Sequence, residues 1–160
     1  QFSIDSEFEA KYSFYDLGFN VRPTEITGFL GIKQLDHLED NIEKRISNYL
    51  EIEKVALQND HLVHLEHDHI ERISPFAMPF VFKTAELKTK YQTQFSGAGI
   101  EIRPMIAGNM ERQPFYKKYV AKSQELPGTD LVHDNGFYCG NYPEMTHTDL
   151  NQIKSCLIKS

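Results

Sequence analysis

"TEITGFLGIKQLDHLEDNIEKRISNYLEIEKVALQN", residues 24–59, is the stretch on which the fold turns. Thr24 follows Pro23 and has the side chain of a helix N-cap, and Glu25 places an acid in the first turn, where the helix dipole favours it. Apolar residues then recur at Leu35, Leu38, Ile42, Ile46, Tyr49, Ile52 and Ala56, always three or four apart. That spacing draws one apolar stripe along an amphipathic helix. Unbroken, the helix would run roughly 50 Å at 1.5 Å per residue, more than a small domain can cover. Gly28 and Gly31, or the polar pair Asp36-His37, are the places where it would break in two. A helix of this length serves as a spine between two units or packs on a partner.

Upstream, Phe2, Phe8, Tyr12, Phe14, Tyr15 and Phe19 crowd residues 1–23, which read as one or two short strands and a loop. Downstream, "ISPFAMPFVF" (73–82) reads as a buried strand and "TAELKTKYQTQFSGAG" (84–99) as a helix capped by Thr84 and stopped by Gly97 and Gly99. "IEIRPM" (100–105) alternates like a strand and leads into a loop. A short helix over 129–135 with Gly136 as its stop, a strand at "FYCG" and a closing amphipathic helix capped by Thr146 or Thr148 complete the pattern. One long helix followed by strand, helix, strand, loop, helix, strand and helix predicts the α+β class, a small α/β sandwich.

The 160 residues are enough for one domain with a core. A net charge of −6 and a pI near 5.6 lack the basic face of a nucleic-acid binder. No apolar run is long enough to span a bilayer. Two cysteines, Cys139 and Cys156, without metal-ligand spacing fit a reducing compartment and make the cytoplasm the expected location. The chain starts Gln1-Phe2-Ser3, without methionine, as a fragment would.

The histidines of "HLVHLEHDHI" (61–70) could share a zinc or nickel ion. No catalytic spacing accompanies them, and a solvated connector is the expectation, with no metal. Cys139 reads as a small core residue rather than a nucleophile. Two stretches remain. In "GFNVRPTEITGFLGIKQL" (18–35), Asn20 and Arg22 stand just ahead of a helix N-terminus, either as an anion site or as braces of that helix. In "EIRPMIAGNMERQPFYKKY" (101–119), Arg103, Arg112, Lys117 and Lys118 surround a glycine- and asparagine-containing turn between Pro104 and Pro114. Forked arginines suit phosphorylated or polyhydroxylated ligands, and a solvated basic loop is the alternative. Residue chemistry alone leaves both pairs of readings open.

Taken together, "GFNVRPTEITGFLGIKQLDHLEDNIEKR" (18–45), "GIEIRPMIAGNMERQPFYKKY" (99–119) and "NGFYCGNYP" (135–143) resemble the C-terminal half of the DegT/DnrJ/EryC1/StrS family. These are fold-type I enzymes that use pyridoxal 5'-phosphate (PLP) on nucleotide-linked keto sugars. The second block more resembles the branch containing nucleotide-linked 4-keto-6-deoxyhexose 3-dehydratases. The resemblance implies a small C-terminal domain of a PLP-dependent transferase preceded by a long linking helix. Residues 1–60 would then hold the aromatic segment and the linking helix at the junction with a missing large domain, and residues 61–160 the small domain.

It further implies a homodimer whose active sites lie at the subunit interface. Asn20, with Arg22 beside it, would reach the cofactor phosphate, and Arg103, Gly108, Asn109 and Gln113 would face the sugar nucleotide. The motifs for the Schiff-base lysine (or its histidine replacement) and for the groups around the pyridine ring are missing, so no catalytic residue is expected here and PLP is not expected to bind this chain alone. Dehydratase and aminotransferase compete, the QPF-type loop favouring the former. The alternative from another class is a stand-alone, non-catalytic binding or regulatory module.

Overall fold

The computed structural model describes residues 7–19, 22–106 and 108–158. The helical stripe folds as two helices, α2 (Glu25–Leu35) and α3 (Leu38–Ala56), parted at Asp36-His37. Thr24 caps α2 by accepting from the Thr27 amide. Gly28 and Gly31 stay helical, so the break lies at the polar pair and not at the glycines. The stripe also divides in function. Ile52 is buried in the core, whereas Ile26, Phe29, Leu30, Ile32, Leu35 and Leu38 are exposed and α2 buries no residue. No helix of the described residues is long and apolar enough to cross a membrane.

Three strands, β1 (Ala77–Val81), β2 (Ile102–Pro104) and β3 (Gly136–Gly140), form an antiparallel sheet in the order β1-β3-β2. Phe80 faces Phe137, and Arg103 faces Tyr138 across the ladder. Side chains alternate between the two faces of a strand, and here the faces differ sharply. One carries Met78, Phe80, Ile102, Phe137 and Cys139 into the core. Against it pack α3, α4 (Ala85–Gly97) and α7 (His147–Leu157), through Ile52, Tyr91, Phe95, Leu150, Ile153 and Leu157. The other carries Pro79, Arg103 and Tyr138, and no helical layer matches α3, α4 and α7 on that side among the described residues. The fold is therefore the expected two-layer α+β arrangement.

Local chemistry accounts for most boundaries. Thr84 caps α4 through the Leu87 amide, and Gly99 turns the chain out of it at φ +73°. Thr146, not Thr148, caps α7, and with Asp149 it forms a reciprocal capping box. Asn59 ties the ends of α3 and α7 together: buried, it donates to the Tyr91 hydroxyl and the Leu157 carbonyl at 2.7 Å each and accepts from the His61 amide at 3.0 Å. Asn59→Ala removes these three bonds, leaving the Tyr91 hydroxyl only its contact with His61, and is expected to lower stability by about 2–3 kcal/mol, read as a drop in the urea midpoint at unchanged m-value.

Two segments differ from expectation. No strand precedes β1 among the described residues; instead α1 (Glu7–Ala10) forms one helical turn and the chain then runs irregularly. A strand needs a ladder, and this segment finds single anchors. The Phe14 amide donates to the Gln113 side chain, the Phe14 carbonyl accepts from the Phe115 amide, and Lys11 reaches the Ile102 carbonyl. The stretch after β2, read as a loop, contains a 3₁₀ turn at Met110–Arg112 and a short helix α5 (Pro114–Tyr119). Pro114 starts α5 rather than merely bounding a loop, because its missing N–H and fixed φ suit a first helical position. The short helix before β3, α6 (Pro127–Asn135), begins two residues earlier than expected, again on a proline.

Candidate functional site

The basic stretch 101–119 is largely neutralised by acids of the same chain. Arg112 forks onto Asp134 at 2.5 and 3.0 Å and also meets Asp130 at 2.6 Å, both acids lying on α6. Lys118 pairs with Asp16, which also accepts from Tyr119, and Lys118 first among these holds the Asp16 carboxyl down to about 2. Arg103 is paired with Glu101 through two bonds of 2.9 and 2.7 Å. The stretch is therefore not a bare cationic loop. Arg103 differs from Arg112 in its setting: about half exposed, it stands on the sheet face that lacks a helical layer.

Tyr12 completes that edge. Its hydroxyl lies 2.7 Å from the Tyr138 hydroxyl and also meets the Arg103 guanidinium. These two partners, Tyr138 foremost, lower the Tyr12 phenol from its ordinary value, while burial pushes Tyr138 up to about 12. An open groove of about 500 Å³ runs beside them, bordered by Arg103, Glu101, Tyr138, Tyr142 and Asp149. A second, of about 570 Å³, adjoins it through Phe76 and Tyr138 and extends past Pro79, Met105 and Ile106. The groups on offer are a forked cation, two phenols, two carboxylates and aromatic faces, a set suited to a bulky, anionic, ring-bearing ligand.

Gly108, Asn109 and Gln113 follow β2 in the chain, on either side of the 3₁₀ turn. Gly108 adopts φ +51°, and a Cβ there would fall 2.0 Å from the His133 ring. Asn109 is buried; its carboxamide donates to Asp130 at 2.7 Å and accepts from the Glu111 amide at 2.9 Å, capping the 3₁₀ turn. Its own amide donates to His133 Nδ1 at 3.0 Å. Gln113, also buried, accepts from the Phe14 amide at 2.9 Å and donates to the Tyr12 carbonyl at 3.0 Å. Tyr12 thus joins Gln113 to Arg103, while Gly108 and Asn109 form a wall held against His133 and Asp130 of α6. Arg22 is exposed, two residues ahead of the Thr24 cap. Asn20 lies outside the described residues.

Sequence reasoning missed Tyr12, Asp130, His133 and Asp134. None sits in a motif of its own, and only their contacts across the fold reveal them. Elsewhere, His61 meets the Tyr91 hydroxyl at 3.1 Å and His67 meets Glu53 at 2.7 Å. Among the described residues, no group of three or more His, Cys, Asp and Glu side chains could hold a metal. Cys139 and Cys156 are buried free thiols; burial raises both, Cys139 to about 12. Neither is poised as a nucleophile.

The family model described as the DegT/DnrJ/EryC1/StrS aminotransferase family matches residues 2–158. The chain belongs to that family. Among curated relatives, the lipopolysaccharide biosynthesis protein RfbH of Salmonella typhimurium is 28% identical over 159 residues, covering 96% of this chain and 36% of that protein. The GDP-4-keto-6-deoxy-D-mannose 3-dehydratase of Yersinia pseudotuberculosis is 30% identical over 146 residues, covering 89% and 36%. Among solved structures, the E. coli GDP-4-keto-6-deoxy-D-mannose-3-dehydratase with bound hydrated PLP superposes with a TM-score of 0.75 at 24% identity, over 97% of this chain and 40% of that one. The sugar aminotransferase CalS13 from Micromonospora echinospora follows at 0.70 and 17%, over 88% and 36%. This DegT/DnrJ/EryC1/StrS family chain thus shares their fold and spans well under half of their length.

Proposed function

We propose that this chain is the small-domain part of a PLP-dependent enzyme that modifies a nucleotide-linked 4-keto sugar, by 3-dehydration or transamination, in deoxy- or amino-sugar and surface-polysaccharide biosynthesis. The observation that carries the reading is Arg103, half exposed beside Tyr12 and Tyr138 at the edge of the 500 Å³ groove. A guanidinium fork binds phosphate oxygens two at a time, and the neighbouring aromatic rings offer surfaces for a base or sugar. Binding would exchange the Glu101 carboxylate for the ligand's diphosphate. Asn109 and Gln113 form the wall behind, Gly108 lets that wall approach His133, and the Glu101 and Asp149 carboxylates are acceptors for ligand hydroxyls.

The fit to the cofactor is partial. Lys88, buried on α4, directs its ammonium to Glu9 at 3.3 Å and over the Phe8 ring, not towards the Arg103 groove. Asn20 and Arg22 are the residues that would hold the cofactor phosphate, Arg22 through its exposed guanidinium. When bound, PLP supplies the electron sink for carbanion chemistry; the lysine or histidine that serves it belongs to the large domain. The exposed apolar side of α2, with Phe29, Leu30, Ile32 and Leu35, fits a role at the junction with that domain and its dimer mate.

In the enzyme that carries this chain, Arg103→Ala is expected to raise KM for GDP-4-keto-6-deoxymannose roughly 10- to 100-fold, the loss of a charge-assisted contact. The thermal midpoint should barely move, since the residue is on the surface. An unchanged KM would sink the reading. The chain alone, mixed with PLP, should give no Schiff-base absorbance.

A further inference from the structure

His133 stands where the wall is anchored. A backbone amide can only donate, so the 3.0 Å contact with Asn109 makes His133 Nδ1 the acceptor and places the ring proton on Nε2. The same nitrogen is the atom nearest to where a Cβ on Gly108 would stand, so only a glycine leaves the turn this close to the imidazole. Among the described residues, no other hydrogen bond to the Asn109 amide competes with this one. Asp130, one turn earlier on α6, holds the Asn109 side chain, so the residue is pinned to α6 at both its amide and its carboxamide.

We propose that His133 is a positioning residue: the lone pair on Nδ1 fixes the turn between Met105 and Gln113, and protonating that nitrogen releases it. A protonated imidazole has two N–H groups and no acceptor, so it would point a proton at the Asn109 amide. The inference concerns the conformation of the wall; it rests on the proposed function only for what that wall holds.

The charged groups around the ring set the direction. Arg112 of the 3₁₀ turn and Lys88 of α4 oppose a second positive charge, while Asp134 beside it and Glu9 of α1 favour one. Burial, the largest influence, and Arg112 prevail, lowering the imidazole from its ordinary 6.5. A group with a depressed folded value contributes stability that is fully present above 6.5 and is lost as pH falls through the lowered value. The turn is therefore held at neutral pH and freed in acid.

The test is an NMR titration of the 160-residue chain from about pH 8 to about pH 5, following the His133 ring nitrogens and the Asn109 amide. Expected are an Nε2–H ring at high pH and a shift of the Asn109 amide with the same midpoint as the ring, below that of a free histidine. His133→Asn keeps an acceptor near the Nδ1 position without titrating, and should hold the Asn109 amide near its high-pH position throughout. His133→Phe should leave it in the acid position at every pH. An Asn109 amide that stays fixed while the ring titrates, or a ring protonated on Nδ1 at high pH, overturns the proposal. Both of those readings come from the unsubstituted chain, so a variant that fails to fold does not blunt the test.

Discussion

Phe137→Ala is expected to lower stability by about 3–5 kcal/mol, the range for emptying an aromatic site in a packed core. Phe137 is fully buried on the central strand, with ring centroids of Phe82 and Phe95 at 5.3 Å and of Phe80 at 5.9 Å. Those neighbours come from β1, the residue just after it, and α4, so no single element can shift to fill the space. Domains of this size hold only about 5–15 kcal/mol in total, and the loss could consume much of it. Urea unfolding should show the fall directly. Phe137→Leu, which keeps much of the volume, should cost about 1 kcal/mol. A loss below that in the alanine variant would mean that the aromatic cluster does not hold the sheet to its helices.

Gly108→Ala should cost about 2–4 kcal/mol. Part is the left-handed backbone at φ +51°, which costs a residue with Cβ about 1–2 kcal/mol. The rest comes from His133: a methyl carbon placed 2.0 Å from Nδ1 must push the ring away, and the Asn109 amide then loses its acceptor. Gly108→Asn separates the two causes. Asparagine tolerates the left-handed region but brings the same Cβ, so it should remain nearly as destabilising as alanine. Recovery in the asparagine variant would assign the whole effect to backbone strain and remove the steric argument. Calorimetric midpoints of the three proteins decide between them.

Much of the fold is legible in the chain because its signals are local. Thr24, Thr84 and Thr146 each cap the helix that follows, and the apolar residues of "AMPFV" and "GFYCG" lie where strands form. The aromatic N-terminal segment is not legible, because Tyr12 and Phe14 are placed by partners 126 and 99 residues away and Phe8 by the core it packs against. The wall is half legible. Its residue types point to ligand chemistry, yet the same amides of Asn109 and Gln113 serve internal bonds. The acids that neutralise Arg112 belong to α6, whose sequence gives no hint of which loop it will face. A basic stretch in sequence is thus not a basic surface in space.

The strand order β1-β3-β2 carries a consequence for how the molecule comes together. The middle strand is the last one made: Ala77 must wait for Gly140, and Ile102 for Cys139. No tight hairpin can form early and serve as a seed, since β1 and β2 never touch and β2 reaches β3 only across the 3₁₀ turn, α5 and α6. Closing such long loops before any ladder bond is gained slows folding. On the ribosome, the first two strands, with Phe80 of β1, would stay unpaired until residue 140 has emerged. Assembly of the sheet is therefore a late and concerted event, in which Arg103 of β2 and Tyr138 of β3, beside the groove, take their places together with the core.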